Sequence, residues 1–180
     1  MNILDIFLNS LLLIITFNHD LWEIIILSLY VSFIALIIGS VLGILFGYYL
    51  ALKVFIFKNI ILIVINSLMG IPPVVVGLIV YFIFASGGPL GIFELLYSPT
   101  AMIIAQIIII FPIVASISHE IFFKNWHEFK DEFRSLNMPY FGIAKILVGH
   151  SYSLIITSLL SAYGRAISEV GAVMIVGGNI

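Results

Sequence analysis

Two opposite charges lie inside an otherwise apolar stretch of this 180-residue chain. Arg165 and Glu169 interrupt a run from about Leu154 to Val176 that contains no other charged residue. A charged side chain at the centre of a bilayer costs roughly 2.5–3.5 kcal/mol on insertion scales, so an intramembrane charge usually has a function. Because residues four apart lie on the same face of a helix, these two side chains can pair.

The pair allows two interpretations. In the first, Arg165 attracts an anion, in a passage or at an interface between subunits. In the second, Arg165 and Glu169 neutralise each other and fix the packing of their helix. The carboxylate of Glu169 argues against a simple anion-binding pocket, because it would repel a doubly charged anion.

Two adjacent prolines are the second unusual feature of an apolar stretch. Pro72 and Pro73 lie within a run from about Ile60 to Phe84. Each proline removes a backbone hydrogen bond, so the pair predicts a kink or a local opening of the helix. The freed backbone would line a passage, or the kink would serve helix packing alone.

The longest polar segment, residues 120–152, predicts a helical hairpin that protrudes from the membrane. Two short helices, residues 123–136 and 140–148, are expected on either side of Asn137-Met138-Pro139. Asparagine tolerates the left-handed conformation that ends a helix, and proline then prevents the helix from continuing. The hairpin is either a solvated loop or a docking surface.

The remaining polar residues do not predict an enzyme. His119, Glu120 and His127 lie near one another in the chain, but their spacing is not a usual metal-ligand pattern, and there is no cysteine. No catalytic constellation and no G-x-x-x-x-G-K-[ST] phosphate loop is present, so we expect no cofactor, no metal and no ATP hydrolysis by this chain. A net charge of −2 predicts no nucleic-acid partner.

The elements that position these residues are predicted to be membrane-spanning helices. Hydrophobic residues make up 63% of the chain, charged residues 9%, and the mean hydropathy is +1.29. A bilayer core about 30 Å thick needs roughly 20 apolar residues. Four such runs occur, at about 24–52, 60–84, 100–118 and 154–176. The fold class is therefore an all-α membrane protein in contact with lipid, with four to five transmembrane helices.

Three glycines recur at every fourth position of the first predicted span. Gly39, Gly43 and Gly47 lie on one helical face. Small residues on one face allow another helix to approach closely, so this face is expected to pack against a neighbour.

Both ends of the chain carry separate expectations. Residues 2–17 are apolar but short for a span, so residues 1–20 are predicted to form a helix lying in the membrane interface. A fifth short span and a signal-peptide core are the alternatives, but no Lys or Arg precedes the segment and no small-residue cleavage site follows it. Residues 21–180 form the membrane domain. Because the sequence stops directly behind an apolar run, we expect that a C-terminal helix is missing.

Basic residues predict the orientation of the chain. They concentrate in residues 53–58 and in the hairpin segment 120–152, whereas residues 20–23 and 86–99 contain no Lys or Arg. Since short cytoplasmic loops are enriched in Lys and Arg, the first two segments should face the cytoplasm and the other two should face outward.

Several stretches resemble one family of transport proteins. Residues 131–137, Asp-Glu-Phe-Arg-Ser-Leu-Asn, resemble the E-A-A-x-x-x-G signature in the cytoplasmic loop of permeases from binding-protein-dependent ABC importers. Residues 69–77, 98–106 and 164–179 resemble the tungstate branch of the molybdate, tungstate and sulfate permeases. Together they cover nearly the whole chain in order.

The resemblance implies a type I ABC importer transmembrane domain that moves an oxyanion, most readily tungstate, across the cytoplasmic membrane. It also implies a permease homodimer, a separate ATP-binding subunit and an extracytoplasmic tungstate- or molybdate-binding protein. The residues implied to couple the chain to the ATPase subunit are Asp131, Glu132, Arg134, Ser135, Leu136, Asn137, Met138, Pro139 and Tyr140. Those assigned to the translocation pathway or to helix packing are Pro72, Pro73, Arg165 and Glu169.

Three alternatives stay open at this point. A molybdate or sulfate permease of the same class would show the same features. A secondary transporter should contain internal repeats and further ionisable groups near the membrane midplane, and neither is evident. A membrane enzyme or a structural subunit is the third alternative.

Overall fold

The computed structural model describes residues 12–16 and 18–178. Between residues 18 and 178 the backbone forms seven α-helices and one short 3-10 helix, with no β-strand. The helices are α1 (His19–Leu52), α2 (Lys58–Met69), α3 (Pro73–Phe84), the 3-10 helix (Gly91–Phe93), α4 (Pro99–Ser135), α5 (Tyr140–His150), α6 (Tyr152–Ser168) and α7 (Val170–Gly177).

Two of these helices are long and apolar enough to cross a membrane by themselves. These are α1, with 34 residues, and α4, with 37 residues. Two bent pairs also qualify when each pair is taken together: α2 with α3, bent by 104°, and α5 with α6, bent by 76°. The described residues therefore contain two to four spans, and the predicted all-α membrane fold is confirmed.

The centre of the molecule is a close parallel contact between α1 and α4. A Cβ placed on Gly39 would lie 2.9 Å from Cγ2 of Ile110, and one on Gly47 would lie 2.7 Å from the carbonyl oxygen of Ala115. Gly43 makes an equally tight contact between them. Because the contacts run in the same order along both helices, α1 and α4 point in the same direction, and the predicted packing role of the glycine face is confirmed.

The molecule has two distinct ends, defined here by their loops. At the hairpin end, formed by residues 53–58 and 136–140, the ammonium group of Lys58 lies 5.0 Å from the ring centroid of Phe123 on α4. At the loop end, formed by residues 85–98, the backbone N–H of Tyr97 donates to the carbonyl of Val176 at 2.9 Å. The two segments predicted to face the cytoplasm thus share one end.

The second predicted span is not a single helix. The run from Ile60 to Phe84 divides into α2 and α3, which meet at 104° around Gly70, Ile71 and Pro72. Pro73 occupies the first turn of α3, where its missing N–H has no helical partner to lose. The prolines therefore start a new helix instead of merely kinking one.

The predicted break between the third span and the hairpin is wrong. Residues 100–118 and 123–135 belong to one continuous helix, α4. Charged residues end the apolar stretch, but they do not end a helix, and no Gly or Pro occurs between residues 113 and 138. The first half of the hairpin is therefore a rigid extension of a membrane span.

The fourth predicted span, residues 154–176, is also divided. Helix α6 ends at Ser168, Glu169 has φ −92° and ψ 72°, and the eight-residue helix α7 follows. The interfacial helix predicted for residues 1–20 falls mostly outside the described residues and stays a prediction.

Candidate functional site

The two helix breaks lie side by side. A Cβ on Gly77 would lie 2.9 Å from Cα of Ala172, and one on Gly171 would lie 3.0 Å from Cγ2 of Val74. These contacts join the N-terminal halves of α3 and α7 and run in the same order along both helices, so the two helices start near each other and point the same way. We call this region, residues 69–73 and 168–172, the paired break.

The paired break concentrates positive helix ends. The first N–H groups of a helix have no partner within the helix, and the N-terminus carries roughly half a positive charge. Discontinuous helices whose N-termini meet inside a membrane are a known means of holding anionic groups. Glu169, which directly precedes α7, offsets part of this charge.

The predicted pairing of Arg165 with Glu169 is present. Nε of Arg165 lies 3.6 Å from Oε1 of Glu169, and the two side chains are 39% and 20% exposed. This distance is an ion-pair contact and is too long for a hydrogen bond. This Nε is buried, and no acceptor among the described residues lies within hydrogen-bond distance of it.

One face of α6 next to Arg165 carries exposed hydroxyl groups. Ser153, Thr157, Ser161 and Ser168 are exposed and recur at near-helical spacing. Thr157 and Ser161 each donate to the carbonyl four residues earlier, at 2.9 Å. We call these four residues the hydroxyl stripe. It gives α6 an exposed polar face, whereas much of the exposed face of α1 is apolar.

A buried amide is the site residue that the sequence predictions missed. Gln106 on α4 is 3% exposed. Its Nε2 donates to Oγ of Ser32 on α1 at 3.2 Å and to the carbonyl of Ala166 on α6 at 3.4 Å. An isolated amide in an apolar span was the available signal, because polar groups inside membranes tend to be functional.

The turn of the hairpin has the geometry expected from the sequence. Asn137 has φ 49°, the predicted left-handed conformation. Its N–H donates to Arg134 at 3.1 Å, and the N–H of Met138 donates to Phe133 at 3.1 Å. These two bonds form a Schellman motif, and the side chains of Met138 and Phe133 pack in the same cluster, as this motif favours.

The hairpin presents an exposed surface that contains apolar side chains. Leu136 is 70% exposed, and Phe141, which the sequence analysis did not single out, is 84% exposed. Met138 is half-buried. The other residues assigned to coupling are exposed: Asp131, Glu132, Arg134, Ser135, Asn137, Pro139 and Tyr140.

The end of α1 holds the start of α5. The hydroxyl of Tyr48 donates to the carbonyl of Tyr140 at 2.7 Å. Nζ of Lys53 donates to the Tyr140 hydroxyl at 3.3 Å and lies 4.5 Å from the centroid of its ring. The predicted site residues thus form two groups, one at the paired break and one on a hairpin fastened to α1.

Comparisons with known proteins agree on one class of function. Residues 39–180 match the family described as "Binding-protein-dependent transport system inner membrane component". A relative from Haloferax volcanii, "Probable anion ABC transporter permease protein", is 41% identical over 85% of this chain and 66% of its own length.

Two further relatives carry the name "Tungstate uptake system permease protein". The one from Peptoclostridium acidaminophilum is 35% identical over 93% of this chain and 74% of its own length. The one from Campylobacter jejuni is 37% identical over 68% of this chain and 52% of its own length. The chain therefore spans between about half and three quarters of these relatives.

Proposed function

Since this chain belongs to the family of inner membrane components of binding-protein-dependent transport systems, we propose that it is the permease subunit of an ATP-driven importer for an oxyanion, with tungstate as the substrate. The family consists of multi-pass transport components of the inner membrane. The chain is therefore a translocation subunit and not a catalytic one.

The observation that carries the choice of substrate is the similarity to two tungstate uptake permeases, one of them over 93% of this chain. The similarity to an anion permease from Haloferax volcanii also supports a negatively charged substrate. Molybdate and sulfate are the competing oxyanions, because selection among tetrahedral oxyanions would rest largely on the external binding protein.

The geometry of the paired break suits an anionic substrate. Two helix N-termini meet there, and Arg165, whose side chain is 39% exposed, lies in the last turn of the preceding helix. In this proposal the oxyanion passes along the hydroxyl stripe and by Arg165. The hydroxyl groups of Thr157 and Ser161 would rotate away from their backbone carbonyls to donate to the oxyanion. Glu169 offsets part of the positive charge of the helix ends and Arg165, so that the oxyanion is bound weakly enough to be released.

The hydroxyl stripe is also the face we assign to a second copy of the chain. Small polar side chains gain little from contact with lipid, and they allow helices to approach closely. A permease homodimer with its α6 helices facing one another would enclose the passage between two polar faces. The loop end would then receive the oxyanion from the binding protein.

The hairpin is the surface proposed to meet the ATP-binding subunit. Its apolar side chains, Leu136 and Phe141, are exposed. In the predicted orientation they lie in the cytoplasm, where lipid does not cover them. Because α4 continues without a break from the membrane into the hairpin, a movement of the hairpin would be transmitted directly to the packed α1–α4 pair.

The proposal is tested by the tungsten and molybdenum content of cells with and without this gene, grown on trace amounts of each oxyanion. Loss of tungsten alone on deletion is the expected result. Loss of molybdenum instead would keep the mechanism and change the substrate. Unchanged content of both metals would contradict the proposal.

Complementation supplies the matched control. The deletion strain receives either the native gene or one encoding Arg165→Ala, at equal protein level in the membrane. We expect the native gene alone to restore tungsten content. Purification in mild detergent should also yield an associated ATPase with a phosphate loop, and its consistent absence would count against an ATP-driven importer.

A further inference from the structure

A cavity of about 280 Å³ lies between α1, α4, α6 and α7, on the opposite side of Gln106 from the hairpin end. Its wall is mostly apolar. The polar side chains that line it are Ser28, Ser32, Gln106 and Glu169.

In the amide group that lines this cavity, the hydrogen-bond donors are engaged and the acceptor is not. Both N–H groups of the Gln106 amide are engaged, one by Ser32 and one by the carbonyl of Ala166. Oε1 of Gln106 is buried, and no donor among the described residues reaches it. The opposite assignment of the amide would place two carbonyl oxygens 3.4 Å apart without a hydrogen atom between them, so the free atom is the acceptor.

The groups next to Gln106 also favour a ligand that donates hydrogen bonds. The carboxylate of Glu169 is acceptor-only when it is ionised, and only part of its charge is offset by Arg165. The hydroxyl of Ser32 accepts the bond from Gln106, which leaves its own hydrogen free to donate. A ligand that donates to Oε1 of Gln106 satisfies this buried acceptor, which is unfavourable when it has no donor. Water can in addition accept from Ser32, whereas an ammonium-type cation can only donate.

We propose that this cavity is a binding site for a small hydrogen-bond donor, either water or an ammonium-type cation, and that it excludes anions. The site holds the donor between Gln106, Ser32 and Glu169 and thereby solvates the charge pair next to the helix break. The volume is sufficient for several water molecules, each of which needs roughly 30 Å³ in the liquid.

This site differs from the proposed oxyanion path. A fully deprotonated oxyanion offers only acceptors, so Oε1 of Gln106 and the carboxylate of Glu169 would repel it. The inference concerns the chemistry of the cavity alone. It can therefore fail while the transport function stands, and it can stand if the chain carries a different substrate.

The charge preference of the cavity is measurable by thiol labelling. The chain contains no cysteine, so Ser28→Cys introduces a single reactive group on the cavity wall with little change in size. The full-length variant is reacted in membrane vesicles with 2-aminoethyl methanethiosulfonate, which is cationic, and with 2-sulfonatoethyl methanethiosulfonate, which is anionic. Each rate is divided by the rate of the same reagent with a free thiol in solution.

We expect the cationic reagent to react faster by about tenfold or more after this normalisation, as one unscreened charge contact produces. An equal or faster reaction with the anionic reagent would overturn the proposal. So would a failure of both reagents to react, because Ser28 would then not face an accessible cavity. Leu29→Cys, at an exposed apolar position of the same helix turn outside the cavity lining and within the predicted span, should react with neither.

Gln106→Leu removes the acceptor at nearly constant size. In this background we expect the cationic preference at Ser28→Cys to fall, and to fall further with Glu169→Gln. An unchanged preference in both would contradict the assigned roles. Ammonium chloride distinguishes the two ligands: slower labelling than in sodium chloride of equal ionic strength identifies the cation, and equal rates identify water.

Discussion

The continuous helices α1 and α4 and the broken pairs α2/α3 and α6/α7 are built on different contacts. Along α1 and α4, three glycines let one backbone lie against the other. The broken pairs meet near the starts of α3 and α7 through Gly77 with Ala172 and Gly171 with Val74, and apolar side chains pack farther along these two helices. Around that meeting point lie the charge pair and the free helix ends.

From this difference we infer that the α1–α4 pair is a rigid scaffold and that the paired break takes part in transport. Close packing of α1 against α4 from Gly39 to Gly47 leaves little room for movement there, because packed interiors transmit strain and do not deform continuously. A broken helix has backbone groups that lack helical partners, so its surroundings must supply polar atoms. We therefore expect substitutions in the scaffold to affect folding, and substitutions at the paired break to affect transport.

Gly47→Ala should have the largest effect. The added Cβ would lie 2.7 Å from the carbonyl oxygen of Ala115 and 2.8 Å from the backbone N of His119. Overpacking costs typically about 1–3 kcal/mol, and backbone atoms cannot rotate away as side chains do. The yield of folded protein from membranes and its thermal midpoint in detergent should both fall strongly.

Gly149→Ala, on α5, is the matched control for this prediction. A Cβ at Gly149 meets nothing within 4 Å, so the same substitution should leave yield and thermal midpoint unchanged or slightly raised. Equal losses for the two variants would show that close packing is not what distinguishes α1 and α4.

Arg165→Ala should lower tungstate transport by about tenfold or more, since a hydrogen bond to a charged group is worth roughly 1.5–3 kcal/mol. The yield of folded protein should change much less. Uptake of radioactive tungstate into vesicles, at matched protein level, measures this effect.

The double variant Arg165→Ala with Glu169→Ala separates the two roles of the pair. If Arg165 acts on the anion, transport stays low in the double variant. If the two residues serve only to neutralise each other, removal of Glu169 should restore transport, and the anion role would then be abandoned.

Asn137→Val should weaken the hairpin at the end of α4. Asn137 has φ 49°, and this left-handed conformation costs roughly 1–2 kcal/mol for a residue with an ordinary side chain. We expect more ATP hydrolysed per tungstate transported in the reconstituted transporter. Asn137→Gly keeps the conformation accessible and should retain native coupling; equal coupling in all three proteins would contradict a role for this turn.

Tyr48→Phe should have the smallest effect. It removes one hydrogen bond to the carbonyl of Tyr140, worth about 0.5–1.5 kcal/mol. Coupling should loosen slightly with transport retained. Tyr49→Phe on the neighbouring residue, whose ring packs against Phe55, is the control and should leave coupling unchanged.

Local sequence signals predicted much of this molecule. Hydropathy located the apolar segments, and the spacing of three glycines located the face that α4 covers. Asn137 followed by Pro139 predicted the turn of the hairpin, because the conformational preferences of these residues are intrinsic to their backbones.

The sequence predictions failed where a change in polarity does not coincide with the end of a helix. Charged residues from Glu120 onward were taken as the end of a span, yet α4 continues to Ser135 because nothing in that segment disfavours a helix. Glu169 was taken as a charge within one helix, yet the backbone breaks there. Hydropathy reports where a segment prefers to lie and not where its backbone turns.

The sequence by itself determined that the chain lies in the membrane, that its hairpin turns at Asn137, and that its motifs resemble those of oxyanion permeases. Only the tertiary structure decided that the N-termini of α3 and α7 lie side by side and that Gln106 joins Ser32 to Ala166. The first set depends on consecutive residues. The second depends on which helices pack together, and within a membrane this choice follows from close packing and hydrogen bonding between distant segments, because lipid offers apolar surfaces no preference among partners.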